Sequence, residues 1–304
     1  MGSSVMQQTT PAASPPVFVC GRFSLMLDTP KLMGIVNITP DSFSDGGKFV
    51  SQNGRVDHAS AISHAQKLVA DGADILDIGG ESTRPGAKPV SVGEELDRVM
   101  PVLEGIVSLG VPISVDTRRP EVMRQAIALG ADILNDVNGF RDPEAFDVAA
   151  NSSCGLCIMH MQGEPQTMQA DPRYEDVVGE VAQFLNQQLS RFNGRGVSLN
   201  RILLDPGIGF GKTFEHNLRL MQEIGSLARL HPLLLGVSRK SFLGTITGEK
   251  EAFRRVSASV AAALWAASQG VSVLRVHDVR ETKDALNIWQ AVSEHGQKPS
   301  ARIQ

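Results

Sequence analysis

Cysteine is scarce in this chain. Three residues in 304 are too few, and too odd in number, for a disulfide framework, so a reducing cytoplasm is the expected compartment. Long hydrophobic runs are also missing: the longest apolar stretch, around Ala258 to Ala267, is too short to span a bilayer and has the spacing of a packed helix. There is no long basic run, and a formal net charge of −4 gives no electrostatic case for nucleic acid or an anionic membrane as partner. Neither H-E-x-x-H nor a His/Cys cluster at zinc spacing occurs, which argues against a metal caged by side chains. With 42% apolar residues and a mean hydropathy of −0.06, the chain can bury a large core, and a small molecule is the expected ligand.

Two motifs invite readings that their context weakens. Cys154 and Cys157 form a C-x-x-C, but it runs straight into the apolar segment GLCIMH and has no second pair, so buried strand thiols are favoured over redox chemistry. DPGIGFGKT resembles a phosphate-binding P-loop, yet Pro206 stands where the first glycine is required, and the spacing is not G-x-G-x-x-G either. The first sixteen residues, MGSSVMQQTTPAASPP, lack Lys, Arg and an apolar core of signal-peptide length. They read as a disordered leader (1–16) before a single domain (17–295) and a short tail (296–304).

Short apolar runs alternate with helical patterns along that domain, the signature of a parallel sheet with crossover helices. Eight strands are predicted: LMGIVN (32–37), DILDIG (74–79), PISVD (112–116), DILND (132–136), GLCIMH (155–160), RILLD (201–205), LLLGVS (233–238) and SVLRVH (272–277). Between them, Leu96, Val99, Leu103 and Ile106 mark one buried helical face, and Val177, Val181, Phe184, Leu185 and Leu189 another. Pro101 should bend the first of these helices or sit in an accommodated turn. Eight β-α units of one composition favour a closed (β/α)₈ TIM barrel over an open doubly wound sheet. A shorter pair, 17–22 and 23–27, is expected to form a hairpin closing the barrel floor.

Nearly every predicted strand finishes in a polar residue: Asn37, Asp77, Asp116, Asn135 with Asp136, His160, Asp205, Ser238 to Lys240, and Arg275 with His277. In a (β/α)₈ barrel these ends converge on one face, where active sites lie. Helix capping is the rival explanation for any single Asp, Asn or Ser, but Lys240, Arg275 and His277 are not ordinary N-caps. Carboxylates, an amide and a lysine together suit a ligand rich in ring N–H and carbonyl groups. Arg84, Arg275, His277, Asn37 and Thr83 add donors and cations suited to a polyphosphate. The segments NITPDSFSDGGKF and GGESTRPGAKPVS, dense in turn formers, read as mobile loops at the same face.

The ordered set GIVNITPDSFSDGG, DIGGESTRPGA, SVDT, LNDVNG, MHMQGEP, DPGIGFGK, GVSRKSFLG and RVHD, spread from Phe18 to Ala291, closely resembles the dihydropteroate synthase family. The resemblance implies a transferase that displaces pyrophosphate from 6-hydroxymethyl-7,8-dihydropterin pyrophosphate with the amine of p-aminobenzoate. The favoured route is dissociative: pyrophosphate leaves first. It also implies that Asp116, Asn135, Asp205 and Lys240 hold the pterin ring, with Met159 and Phe210 lining the pocket and Arg275 packed on the ring. Asp116, Asp205, Lys240 and Arg275 would be the catalytic set. Asn37, Thr83, Arg84, Arg275 and His277 would bind pyrophosphate, and Phe43, Asp45, Pro85, Lys240 and Ser241 would build the p-aminobenzoate site, where sulfonamides compete. Mg²⁺ is the implied cofactor, with Asn37 its side-chain ligand, and a homodimer the implied assembly.

Two rivals share the pterin-binding residues. A methyltransferase domain carrying a methyl group from a folate to a corrinoid protein has no evident use for Arg84, His277 or the SRKS lysine–serine pair. A catalytically silent paralogue would show degraded loops, whereas both loops here are intact.

Overall fold

The computed structural model describes residues 15–39, 57–82 and 89–295. The predicted tail and all but the last two residues of the predicted leader lie outside these residues, as do Phe43, Asp45, Thr83, Arg84 and Pro85.

Ten strands and ten α-helices form the described structure. The strands are β1 (Val17–Cys20), β2 (Phe23–Met26), β3 (Lys31–Asn37), β4 (Ile75–Gly79), β5 (Ile113–Asp116), β6 (Ile133–Asp136), β7 (Gly155–Met159), β8 (Ile202–Asp205), β9 (Leu234–Gly236) and β10 (Val273–Val276). The helices are α1 (His58–Ala70), α2 (Val92–Ile106), α3 (Pro120–Leu129), α4 (Pro143–Ala150), α5 (Val177–Gly194), α6 (Phe214–Gln222), α7 (Ile224–Ala228), α8 (Ser241–Thr247), α9 (Val256–Ser268) and α10 (Val279–His295). β3 to β10 make an eight-stranded parallel sheet in the order β8-β7-β6-β5-β4-β3-β10-β9. A parallel bridge between Leu204 and Leu233 joins its two ends, so the sheet closes as the (β/α)₈ barrel that the sequence predicts.

All eight predicted strands are present, each within a residue or two of its expected span. Several start later than the apolar pattern suggests, because the leading aspartate is used as a side chain. Asp74 accepts from Leu32 N–H at 2.8 Å, and Asp132 accepts from Ile113 N–H at 3.1 Å, each pinning the start of a neighbouring strand. Period-two alternation then sorts the strands. Leu32, Val36, Leu76, Ile78, Val115, Leu134, Ile158, Leu204 and Leu274 pack outward into the layer between sheet and helices, and the residues between them point into the barrel.

At the barrel floor the inward residues are apolar. Met33, Ile75, Ile133, Cys157, Leu203, Leu234 and Val273 form one cluster with Phe18, Cys20 and Leu27, so the antiparallel β1–β2 hairpin plugs the N-terminal end as expected. Cys20, Cys154 and Cys157 are buried and unpaired, and burial raises all three thiols, Cys20 to about 12. That suits packing rather than redox chemistry.

Arg22 anchors the hairpin. Its guanidinium meets both oxygens of Asp132 at 2.9 Å and reaches the Val107 and Gly130 carbonyls. Arg22→Ala should leave Asp132, 1% exposed, with backbone donors alone. We expect a loss of about 1–3 kcal/mol, read as a lower urea midpoint, with ligand affinity at the opposite face unchanged.

Helix α2 runs unbroken through Pro101. Its buried face differs from the predicted one by a small rotation: Glu95 is buried and Leu96 only partly so. The reason is an ion pair, since Arg119 Nε lies 3.1 Å from the Glu95 carboxylate.

Candidate active site

Alternation that is apolar at the floor becomes polar at the C-terminal rim. Asn37, Asp77, Asp116, Asn135, Met159, Asp205 and Arg275 all occupy inward phases of their strands. The rival capping explanation fails for most of them. Five of the helices are capped by other residues, Asp57, Ser91, Asp142, Asp176 and Thr213, which accept from first-turn N–H groups. Lys240 does occupy the N-cap position of α8, but its side chain makes no capping bond. The exception is Asp136, which points outward and accepts from Asn138 and Phe140 N–H at 2.7 and 2.8 Å, a turn-capping role.

Of these, Asn37, Asp116 and Arg275 line a cavity of about 740 Å³ together with Phe210, Lys240, Ser241 and His277, among others. A depression of similar size, about 760 Å³, lies outside the barrel between α3 and α4. Its Arg124 pairs with Glu121 and Glu144, leaving no convergent set of free groups, so the rim cavity is the candidate.

Arg275 organises the rim. Its Nε donates to Asp77 at 2.6 Å and Nη2 to Asp116 at 3.0 Å, while Asn135 Nδ2 donates to Asp77 at 3.4 Å. The geometry therefore adds Asp77 to the expected site residues. Burial works against the Arg275 cation, but Asp77 and Asp116 outweigh it and hold the guanidinium above its ordinary value. Burial pushes the Asp116 carboxyl up to about 8, with Arg275 pulling down and Asp77 adding to the rise. Asp205 is likewise raised by burial, to about 6, against the pull of Gly207 N–H, Lys240 and Arg275. Burial and then the charge of Arg275 bring Lys240 down to about 8. These are the perturbed groups expected where a ligand replaces water.

An apolar patch adjoins these groups, since Met159 is the ladder partner of Asp205. Met159 clusters with Val137, Met161, Met168 and the Phe210 ring, and Lys240 Nζ sits 4.0 Å from that ring's centroid, a cation–π contact. A flat heterocycle lying on the Phe210–Met159 patch beside Asp116, Asn135 and Asp205 would find both stacking and hydrogen bonds. His277 meets Ser238 Oγ through Nδ1 at 3.0 Å.

The turn carrying Lys240 and Ser241 is built under strain. Arg239 has φ 60°, rare for a side-chain-bearing residue. Ser259 Oγ accepts from its N–H at 2.9 Å, Arg255 donates to its carbonyl at 3.0 Å, and Asp278 takes its guanidinium at 2.6 and 3.1 Å.

The sequence model of the family described as Pterin binding enzyme matches residues 33–277. The dihydropteroate synthase of Neisseria meningitidis serogroup C is 52% identical over 280 residues, covering 91% of this chain and 97% of the relative. The chain belongs to the dihydropteroate synthase family. Among solved members, the Xanthomonas albilineans synthase with 4-aminobenzoic acid superposes with TM-score 0.85 at 46% identity, covering 94% of this chain and all (100%) of that one. The Yersinia pestis synthase, solved with a sulfonamide drug complex, gives TM-score 0.85 at 42% identity over 91% and 99% of the two chains.

Family membership directs attention to Asn37 as the candidate metal ligand. Among the described residues no group of three or more His, Cys, Asp or Glu could cage a cation. The donor at hand is the Asn37 amide oxygen at the cavity edge, which fits a hard ion held chiefly by ligand oxygens and water.

Proposed function

We propose that this chain condenses 6-hydroxymethyl-7,8-dihydropterin pyrophosphate with p-aminobenzoate, releasing pyrophosphate and forming 7,8-dihydropteroate. The observation that carries the reading is one rim cavity lined by Asp116, Lys240 and Arg275, with Asn135 beside Asp116 on the neighbouring strand and Asp205 within the pull of Lys240 and Arg275, in a chain of this family.

Asp205 and Asp116 accept from the pterin's amino and ring N–H groups, and Asn135 completes that edge. Lys240 donates to the ring carbonyl. The two carboxylates stand beside the methylene carbon as it gains positive charge, and Arg275, His277 and Asn37 face the departing pyrophosphate with Thr83 and Arg84. Mg²⁺, when bound, supplies further neutralisation of that anion, with Asn37 as its protein ligand. No protein nucleophile is needed: the amine of p-aminobenzoate, held by Phe43, Asp45, Pro85, Lys240 and Ser241, adds to the carbon and gives up its proton to water. Sulfonamides, similar in shape and charge, occupy the same position.

The test is dihydropteroate formation, followed by chromatography, with both substrates and Mg²⁺. Product that depends on p-aminobenzoate is expected, and tight pterin binding without product would overturn the reading.

The same reading covers assembly and compartment. We propose a homodimer, supported by Trp265 on α9 and Ile288 and Val292 on α10, which are 49, 68 and 69% exposed on helices that pack together. Sedimentation equilibrium at twice the monomer mass is the expected result. Three buried thiols without a disulfide suit a reducing cytoplasm, and no described helix is long and apolar enough to cross a membrane.

A further inference from the structure

The lysine of DPGIGFGK has no part in the chemistry above, yet it is 3% exposed, and a buried ammonium is costly unless each proton is used. Lys212 Nζ donates to the Gly207 carbonyl at 2.9 Å, the Phe210 carbonyl at 3.0 Å and His160 Nδ1 at 3.0 Å, with the His160 carbonyl at 3.4 Å. Three close acceptors match the three protons of an ammonium. No carboxylate lies within ion-pair distance of this nitrogen among the described residues, so its partners are loop backbone and one imidazole. Burial draws Lys212 down to about 7, while Asp205 pulls the other way.

What those acceptors belong to is the informative point. His160 follows β7, and Gly207 and Phe210 lie in the loop after β8, so the ammonium ties two neighbouring rim loops together. The second loop is glycine-rich because its backbone must be left-handed and close: Gly207 has φ +66°, and a Cβ there would meet the His160 carbonyl at 1.9 Å. Gly207 N–H in turn donates to Asp205 Oδ1 at 2.7 Å, and Phe210 presents its ring to Lys240. Two more of the loop's carbonyls are also held, Gly209 by Gln169 at 2.6 Å and Gly211 by the Tyr174 hydroxyl at 2.8 Å.

We propose that Lys212 is a positioning residue of the pterin site: by fixing the Gly207 and Phe210 carbonyls against His160, its ammonium sets where the Asp205 carboxylate and the Phe210 ring stand. This rests on the pterin reading above. Lys212 borders the rim cavity, and its part here is exerted through the loop it holds.

The test compares wild type with Lys212→Met, which keeps the unbranched stem, one atom shorter, and removes the charge and donors. Dihydropterin pyrophosphate is titrated by calorimetry, and both substrates are varied in steady-state assays. The Kd for the pterin should rise about tenfold and kcat should fall with it, because Asp205 also stands beside the reacting carbon, while KM for p-aminobenzoate at saturating pterin changes by less than about threefold. A folded variant with wild-type pterin Kd would overturn the proposal, as would a loss confined to kcat. If Lys212→Met fails to fold, His160→Phe removes one acceptor and keeps the backbone partners; a pterin Kd raised about threefold is expected, and an unchanged one overturns the proposal. Wild-type protein that binds no pterin would instead overturn the functional reading, separating the two failures.

Discussion

Arg275→Met is expected to lower the stability of the empty protein by about 3–5 kcal/mol and turnover by about 10²–10³-fold. The guanidinium serves two carboxylates at once, Asp77, whose side chain is fully buried at 0% exposure, and Asp116 at 14%. Its removal leaves Asp77 and Asp116 facing each other without their shared cation, with Lys240 still acting on Asp116. The protein can relieve this only by taking up a proton, so the variant should unfold at a lower urea concentration as pH rises. Adding Asp77→Asn should return much of the stability, because the surviving amide keeps the shape of the carboxylate without its charge. It should not return turnover, since the cation facing pyrophosphate is still missing. Full recovery of both by the double variant would show that Arg275 acts only as a counter-ion.

Most of this rim was legible in the sequence, for a physical reason. Strand ends in a parallel barrel converge whatever the crossover details, so a polar residue closing an apolar run is a site candidate before any coordinates exist. What the run alone does not settle is phase. Asp136 closes its strand like Asp116 and Asp205, yet it falls on the outward phase and caps a turn. Asp77 sits two residues before the end of β4, inside the apolar run, and yet points inward to Arg275. It stood among the polar residues of the predicted strand ends, and its inward phase is what gives it a part in the site. Glu95 and Lys212 were hidden for another reason. Both are charged residues whose burial depends on partners far along the chain, Arg119 on the next β-α unit and His160 some fifty residues earlier, and helical periodicity carries no trace of such pairings. The segments holding Phe43, Asp45, Thr83, Arg84 and Pro85 fall outside the described residues, so their part rests on the motifs.

Asp205→Asn is expected to weaken dihydropterin pyrophosphate binding by about 2–4 kcal/mol, from loss of a buried charge-assisted pair, and to stabilise the empty protein. The two effects share one cause. Burial raises the Asp205 carboxyl from 3.8 to about 6, which means that ionising it in the folded, empty site is unfavourable. A group raised in this way contributes stability that is fully present below its unfolded value and is lost as pH rises through the folded one. In wild type that loss should accumulate between about pH 4 and 6 and persist above, amounting to roughly 2–3 kcal/mol. Asparagine can still accept from Gly207 N–H, as Asp205 does at 2.7 Å, but it has no charge to strand, so urea midpoints for the variant should lack this step and exceed wild type at neutral pH. Ligand binding reverses the sign. The pterin's N–H groups favour the ionised carboxylate, so wild-type affinity should fall about tenfold per pH unit below about 6, and that limb should vanish in Asp205→Asn. A variant both weaker in pterin affinity and less stable at neutral pH would contradict this account, because it would mean that the Asp205 charge already has in the empty site the partners assigned here to the substrate.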